Sequence, residues 1–202
     1  MKGAWRRVPR AVWVLGGVSL FMDMSSELAH AILPVYLTTK GASLTEMGWI
    51  VGTYGFVWGV SQLVTGRLSD HVGRFWPNVL GMWICGAGVA ALVLADGALW
   101  WSVSAGIAGF GMALLYPNLG ASVADITPPA WRGSAIGIYR FWRDLGYGIG
   151  ALGLGLVAHL TGAVEAAFLF VALSMFASGA LLFAWGEETH PRLNPAAKGA
   201  SP

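Results

Sequence analysis

The chain has 202 residues, 56% of them hydrophobic and only 11% charged, where a soluble domain carries about 25% charged residues. With a mean hydropathy of +0.63, it has too few charges to cover a water-facing surface, and the expected solvent is a lipid bilayer. A net charge of +2 with no basic run excludes nucleic acid as a partner, and a single cysteine, Cys85, excludes an intrachain disulfide and a cysteine-rich metal site.

Residues 1–10 carry Lys2, Arg6, Arg7 and Arg10 and read as a cytoplasmic N-terminal segment. Six apolar stretches follow, at 11–37, 44–66, 75–95, 98–123, 134–158 and 165–185. Each approaches or exceeds the roughly 20 residues that cross a bilayer core. Short polar or turn-forming segments separate them, none long enough for a soluble domain. The expected fold is therefore all-α, a six-helix transmembrane bundle over 11–185. The tail at 186–202 is polar and rich in Pro and Ala, and is expected to be disordered. The abundant glycines allow close helix approach, and the eleven tryptophans suit the membrane–water interface.

Lys2, Arg6, Arg7, Arg10, Arg67, Arg74, Arg132, Arg192 and Lys198 fall on one side of these stretches, and only Lys40 on the other. That bias places both termini in the cytoplasm. A cleaved leader, with "AHA" at 29–31 as its cleavage site, is the rival reading. It is disfavoured because "ILPVYL" resumes the apolar run at once and cleavage would leave an incomplete first helix.

The first stretch holds Asp23, Glu27 and His30, whose offsets of four and three put them on one helix face. The fifth holds Arg140, Arg143, Asp144 and Tyr147, again on one face. At about 1.5 Å per residue, Asp23 lies roughly 18 Å deep and Arg143 and Asp144 roughly 13–15 Å deep, in overlapping layers. A charge in hydrocarbon costs at least about 2.5 kcal/mol, so these groups are expected to face each other or a wet cavity. Arg140 and Asp144 are spaced to pair at i, i+4, leaving Arg143 to reach Asp23 or Glu27. The carboxylates Asp23 and Glu27 are the candidates for carrying a proton or cation. Structural ion pairing that only fixes helix register is the plainer alternative. His71, His159 and His190 share no metal-ligand spacing, and no cofactor is implied.

Between the second and third stretches the chain reads "GRLSDHVGRFWP". Gly66, Leu68, Asp70, Gly73 and Arg74 resemble the signature loop of the major facilitator superfamily, with His71 and Phe75 standing where basic residues are usual. "FMDMSSELAHAILPVYL" and "WRGSAIGIYRFWRDLGYGIGALGLG" are similar to the first and fifth helices of bacterial drug-exporter-like members. The resemblance implies one six-helix half of that fold, built of two inverted three-helix repeats. It implies a cytoplasmic gate network of Asp70, Arg74 and Asp125 with Arg132 nearby. It also implies a cavity lined by Tyr36, Tyr116, Asn118 and Tyr147, with Pro34 and Pro117 bending the two cavity helices.

The implied function is secondary transport of a small organic solute or drug, with proton coupling through Asp23 and Glu27. A second six-helix half, from a homodimer or a separate chain, would complete the cavity. The alternative is a truncated or partner-dependent membrane protein without transport of its own. An intramembrane serine protease of rhomboid type needs a Ser on the fourth stretch and a His on the sixth. Ser122 fits the first requirement, but 165–185 contains no His, so no general base is at hand.

Overall fold

The computed structural model describes residues 10–24 and 26–194, except for the side chains of 26–31. Lys2, Arg6, Arg7, Lys198 and the side chains of Glu27 and His30 lie outside the described residues. The described elements are all helical: α1 (Arg10–Asp23), α2 (Ser26–Thr39), α3 (Leu44–Val72), α4 (Phe75–Ala91), α5 (Ala98–Asp125), α6 (Arg132–Thr161) and α7 (Val164–Trp185), with one 3-10 turn at Pro129–Trp131.

Each apolar stretch is helical, but the first is divided. Helix α1 ends at Asp23 and α2 begins at Ser26, well ahead of Pro34. Neither proline breaks its helix, since Pro34 and Pro117 lie inside α2 and α5. Among the described residues, α5 and α7 are long and apolar enough to cross a membrane. Helix α4 is apolar but shorter. Helices α3 and α6 are longer still but less apolar, α6 because it carries Arg140, Arg143 and Asp144.

Helix α5 packs along both α3 and α4, α1 packs along α6, and α7 closes the bundle against α4 and α1. The closest of these contacts is backbone on backbone. A Cβ on Gly111 of α5 would collide with the Cys85 backbone of α4, and one on Gly88 with that of Ala108. Interhelical hydrogen bonds reinforce the packing. Thr65 Oγ1 donates to the Ala113 carbonyl at 2.6 Å, and Ser178 Oγ to that of Val18 at 2.7 Å. Tyr36, Phe168, Met82, Met112 and Met175 fill the interior.

At one end of the bundle, Lys40 joins three connections. Its Nζ lies 3.4 Å from Asp96, 3.3 Å from Glu165 and 5.4 Å from the Tyr36 ring centroid. The hydrogen bond to Glu165 and the Tyr36 and Asp96 charges hold the ammonium pKa up against desolvation. At the other end, the expected disorder of the tail fails over 186–194. Thr189 and His190 are buried, and Asn194 Nδ2 donates to the Glu188 carbonyl at 3.0 Å. A polar composition here reflects hydrogen bonding to the bundle end.

Gly111→Val is expected to cost about 1–3 kcal/mol by forcing α4 and α5 apart. Gly148, which faces open space, is expected to tolerate Ala with unchanged or raised stability. Thermal unfolding midpoints of the two variants in detergent check both outcomes.

Candidate functional site

The site begins with a glycine. Gly146 of α6 rests on the backbone of Leu20 in α1, where any Cβ would collide with the peptide. This contact brings α6 against the last turn of α1 and sets Arg143, about one turn away on α6, beside Asp23. The Arg143 Nε lies 3.6 Å from Asp23 Oδ2. Its Nε and Nη2 also donate to Asp144 Oδ1, at 3.1 and 3.0 Å. One guanidinium thus bridges carboxylates from two helices.

The two arms differ in kind. Asp23 is 7% exposed, whereas the Asp144 side chain is 67% exposed. The Asp23 arm is too long for a good hydrogen bond and is Coulombic, of order 4 kcal/mol at an effective dielectric near 20, before desolvation is subtracted. The Asp144 arm is hydrogen-bonded but solvent-screened, and contributes about 1 kcal/mol or less. The buried arm is thus long-range and weakly screened, and the exposed arm, which is hydrogen-bonded, orients the guanidinium. A cleft of about 380 Å³ opens onto this bridge, lined by Asp23, Tyr116, Arg143, Asp144 and Tyr147.

Several expected positions fall differently. Asp144 bonds Arg143, its chain neighbour, and not Arg140; the exposed Arg140 makes no ion pair among the described residues. Asn118, expected in the cavity, is 1% exposed, and its Nδ2 donates to the Leu114 carbonyl. Tyr36 is also in the core, packed on Trp101 and Phe168, with its hydroxyl reaching the Leu92 carbonyl at 3.5 Å. Ser122 is buried, donates to the Asn118 carbonyl at 2.8 Å and accepts from Asn78 Nδ2 at 3.2 Å, so its hydroxyl is occupied in α4–α5 packing. The glycines of α6 divide as well: Gly146 packs on α1 and Gly153 on Phe170 of α7, while Gly148 and Gly155 face open space.

A second charge cluster lies where α3 turns into α4. Arg74 is held by Asp70 at 2.9 Å, by Asp125 of α5 at 3.1 Å and by the Ser69 hydroxyl. Gly73 takes φ +94°, a conformation that a side chain disfavours. Gly66, by contrast, has open space around it. Arg132 donates to the Thr127 carbonyl at 3.2 Å, closing the α5–α6 connection. The sequence reading missed Glu188, whose carboxylate accepts from the backbone N–H of Arg74 at 2.9 Å and of Phe75 at 3.2 Å. No local pattern marks it, because its partners lie more than a hundred residues upstream.

An all-helical bundle with two helices, among the described residues, long and apolar enough to cross a membrane, and with charged groups gathered at an open cleft, defines a class of helical membrane proteins. The family model for the Major Facilitator Superfamily matches residues 15–202, and the chain belongs to that family. An uncharacterized MFS-type transporter of Methanocaldococcus jannaschii is 29% identical over 65% of this chain and 34% of its own length. The inner membrane transport protein YajR of Escherichia coli K12 is 28% identical over 87% of this chain and 38% of its own. Among solved structures, a mutant peptide transporter POT in complex with sulfate superposes with a TM-score of 0.77 at 24% identity, over 90% of this chain and 39% of that one. A bacterial homolog of the human lysosomal transporter Spinster, inward-facing and occupied, gives 0.73 at 18% identity, over 88% and 44%. The chain spans little more than a third of the length of these curated relatives.

Removing Arg143 leaves the buried Asp23 without this partner. Arg143→Met is expected to destabilise the bundle by about 3 kcal/mol, and Asp23→Asn combined with it to recover part of that loss. A double-mutant cycle on unfolding midpoints in detergent measures the coupling.

Proposed function

We propose that the chain is a six-helix unit of a secondary transporter for a small organic solute or drug, with a proton handled at Asp23 together with Glu27. The observation that carries this reading is the Arg143 bridge between buried Asp23 and exposed Asp144 at the mouth of a cleft. A proton on Asp23 cancels its attraction for the guanidinium. Arg143 then rests on Asp144 alone, and the charge presented to the cleft changes by one. Tyr116 and Tyr147 supply aromatic faces and hydroxyls to a bound solute. Family membership supports a transporter and not an enzyme.

The six stretches are read as six membrane crossings with both termini in the cytoplasm. The helix pairing supports two inverted repeats: α1 on α6 corresponds to α5 on α3 when the first three crossings are exchanged with the last three. Asp70, Arg74 and Asp125 act as the cytoplasmic latch, with Gly66, Gly73 and Arg132 shaping its surroundings. A second six-helix unit, from another copy or a separate polypeptide, supplies the opposite wall of the cavity, and both units share one orientation. The second reading is a truncated or partner-dependent six-helix unit without transport of its own.

Reconstitution into vesicles with an imposed pH gradient and a panel of solutes tests the proposal. Asp23→Asn is expected to abolish gradient-driven flux while insertion and helix content stay normal. Flux in the variant equal to that of the parent protein removes Asp23 from the coupling role. No flux with any solute, together with a strictly monomeric chain on crosslinking, favours the second reading.

A further inference from the structure

We propose that residues 186–194 form a strap that holds the α3–α4 latch shut, with Glu188 as its positioning residue. The strap leaves the end of α7 and returns under the first turn of α4. One Glu188 carboxylate oxygen accepts from Arg74 N at 2.9 Å and from His190 N at 2.7 Å, and the other from Phe75 N at 3.2 Å. Two of the amides that open α4 are thereby satisfied by a residue that follows α7. This is an N-terminal cap supplied from a distant part of the chain, with a negative charge at the positive end of the helix.

The strap is itself braced. Asn194 Nδ2 donates to the Glu188 carbonyl at 3.0 Å, Arg192 N donates to His190 Nδ1 at 3.3 Å, and Thr189 and His190 are buried. The space for the carboxylate exists because residue 73 is glycine, since a Cβ there would overlap Glu188 and crowd the Leu193 side chain. Gly73 therefore has two reasons to lack a side chain, its positive φ and its passenger.

The functional weight comes from Arg74. Its backbone N–H is bound by Glu188 while its side chain is bound by Asp70, Asp125 and Ser69. A single residue joins the strap to the charge cluster, so α7 is tied to the ends of α3, α4 and α5 through one carboxylate. A pull on the chain beyond the strap reaches the latch by this route. The inference rests on reading the Asp70–Arg74–Asp125 cluster as a latch.

The test uses the full-length chain in inside-out membrane vesicles. Glu188→Ala is expected to raise amide hydrogen exchange at Arg74 and Phe75 about fivefold or more, with Met112 and Leu115 of α5 unchanged. Glu188→Gln, which keeps an acceptor oxygen, is expected to restore protection in part. In a Cys85→Ser background, the rate at which an impermeant maleimide labels Tyr147→Cys is expected to change about threefold or more when Glu188 is Ala. Unaltered exchange at Arg74 and Phe75 overturns the cap. Exchange that rises equally in α5 overturns it too, as general destabilisation. Faster exchange at α4 with unaltered labelling overturns the link to the latch. A labelling shift that persists while Asp23→Asn leaves flux intact overturns the coupling assignment and leaves the strap standing.

Discussion

The rest of the site depends on seating an ionised guanidinium beside a buried carboxylate of a neighbouring helix. Arg143 achieves this by standing between two carboxylates, one buried on the neighbouring helix and one exposed on its own. Burial strengthens the first contact and solvent weakens the second, so the guanidinium has two partners of unequal worth. A charge held this way can change partner when one carboxylate takes up a proton.

The two charge clusters occupy different levels of the fold and use different physics. The cleft is built where the end of α1 meets the middle of α6, and its position is fixed by the backbone packing of Gly146 on Leu20. The Arg74 cluster is built on helix ends, where unpaired amides and short connections supply the partners. Helix α5 connects them. Its Tyr116 lines the cleft, its Asp125 holds Arg74, and its glycines seat it against α3 and α4. A displacement of α5 would be felt at both places.

Much of this was legible in the sequence because helical periodicity is strict. The helical offsets and the depth count set Asp23 and Arg143 in overlapping layers, and Asp23 does meet Arg143. The family resemblance implied a network of Asp70, Arg74 and Asp125, and Arg74 does contact both acids. What was not legible has physical reasons. Side chains adjacent in sequence can still meet when one is as long and flexible as arginine, so Arg143 took Asp144 and the i, i+4 partner Arg140 did not. Helix α5 is apolar on every face, which left no periodic signal to show that Asn118 turns inward. The division of the first stretch at Asp23 has no proline or glycine to announce it. Glu188 was obscured by composition, since a polar segment reads as disordered unless its distant partners are known.

The contact between Gly146 and Leu20 has one more consequence. With no side chain between them, the two helices touch at a hard fulcrum, and Arg143 sits on a lever arm of three residues, or about 4.5 Å. Tilting α6 by about 10° about that point would move the root of Arg143 by only about 1 Å. That travel is enough to turn a separation of 3.6 Å into a direct hydrogen bond or to remove it from reach. A slight rocking of one rod on the other therefore suffices to make or break the contact between Arg143 and Asp23.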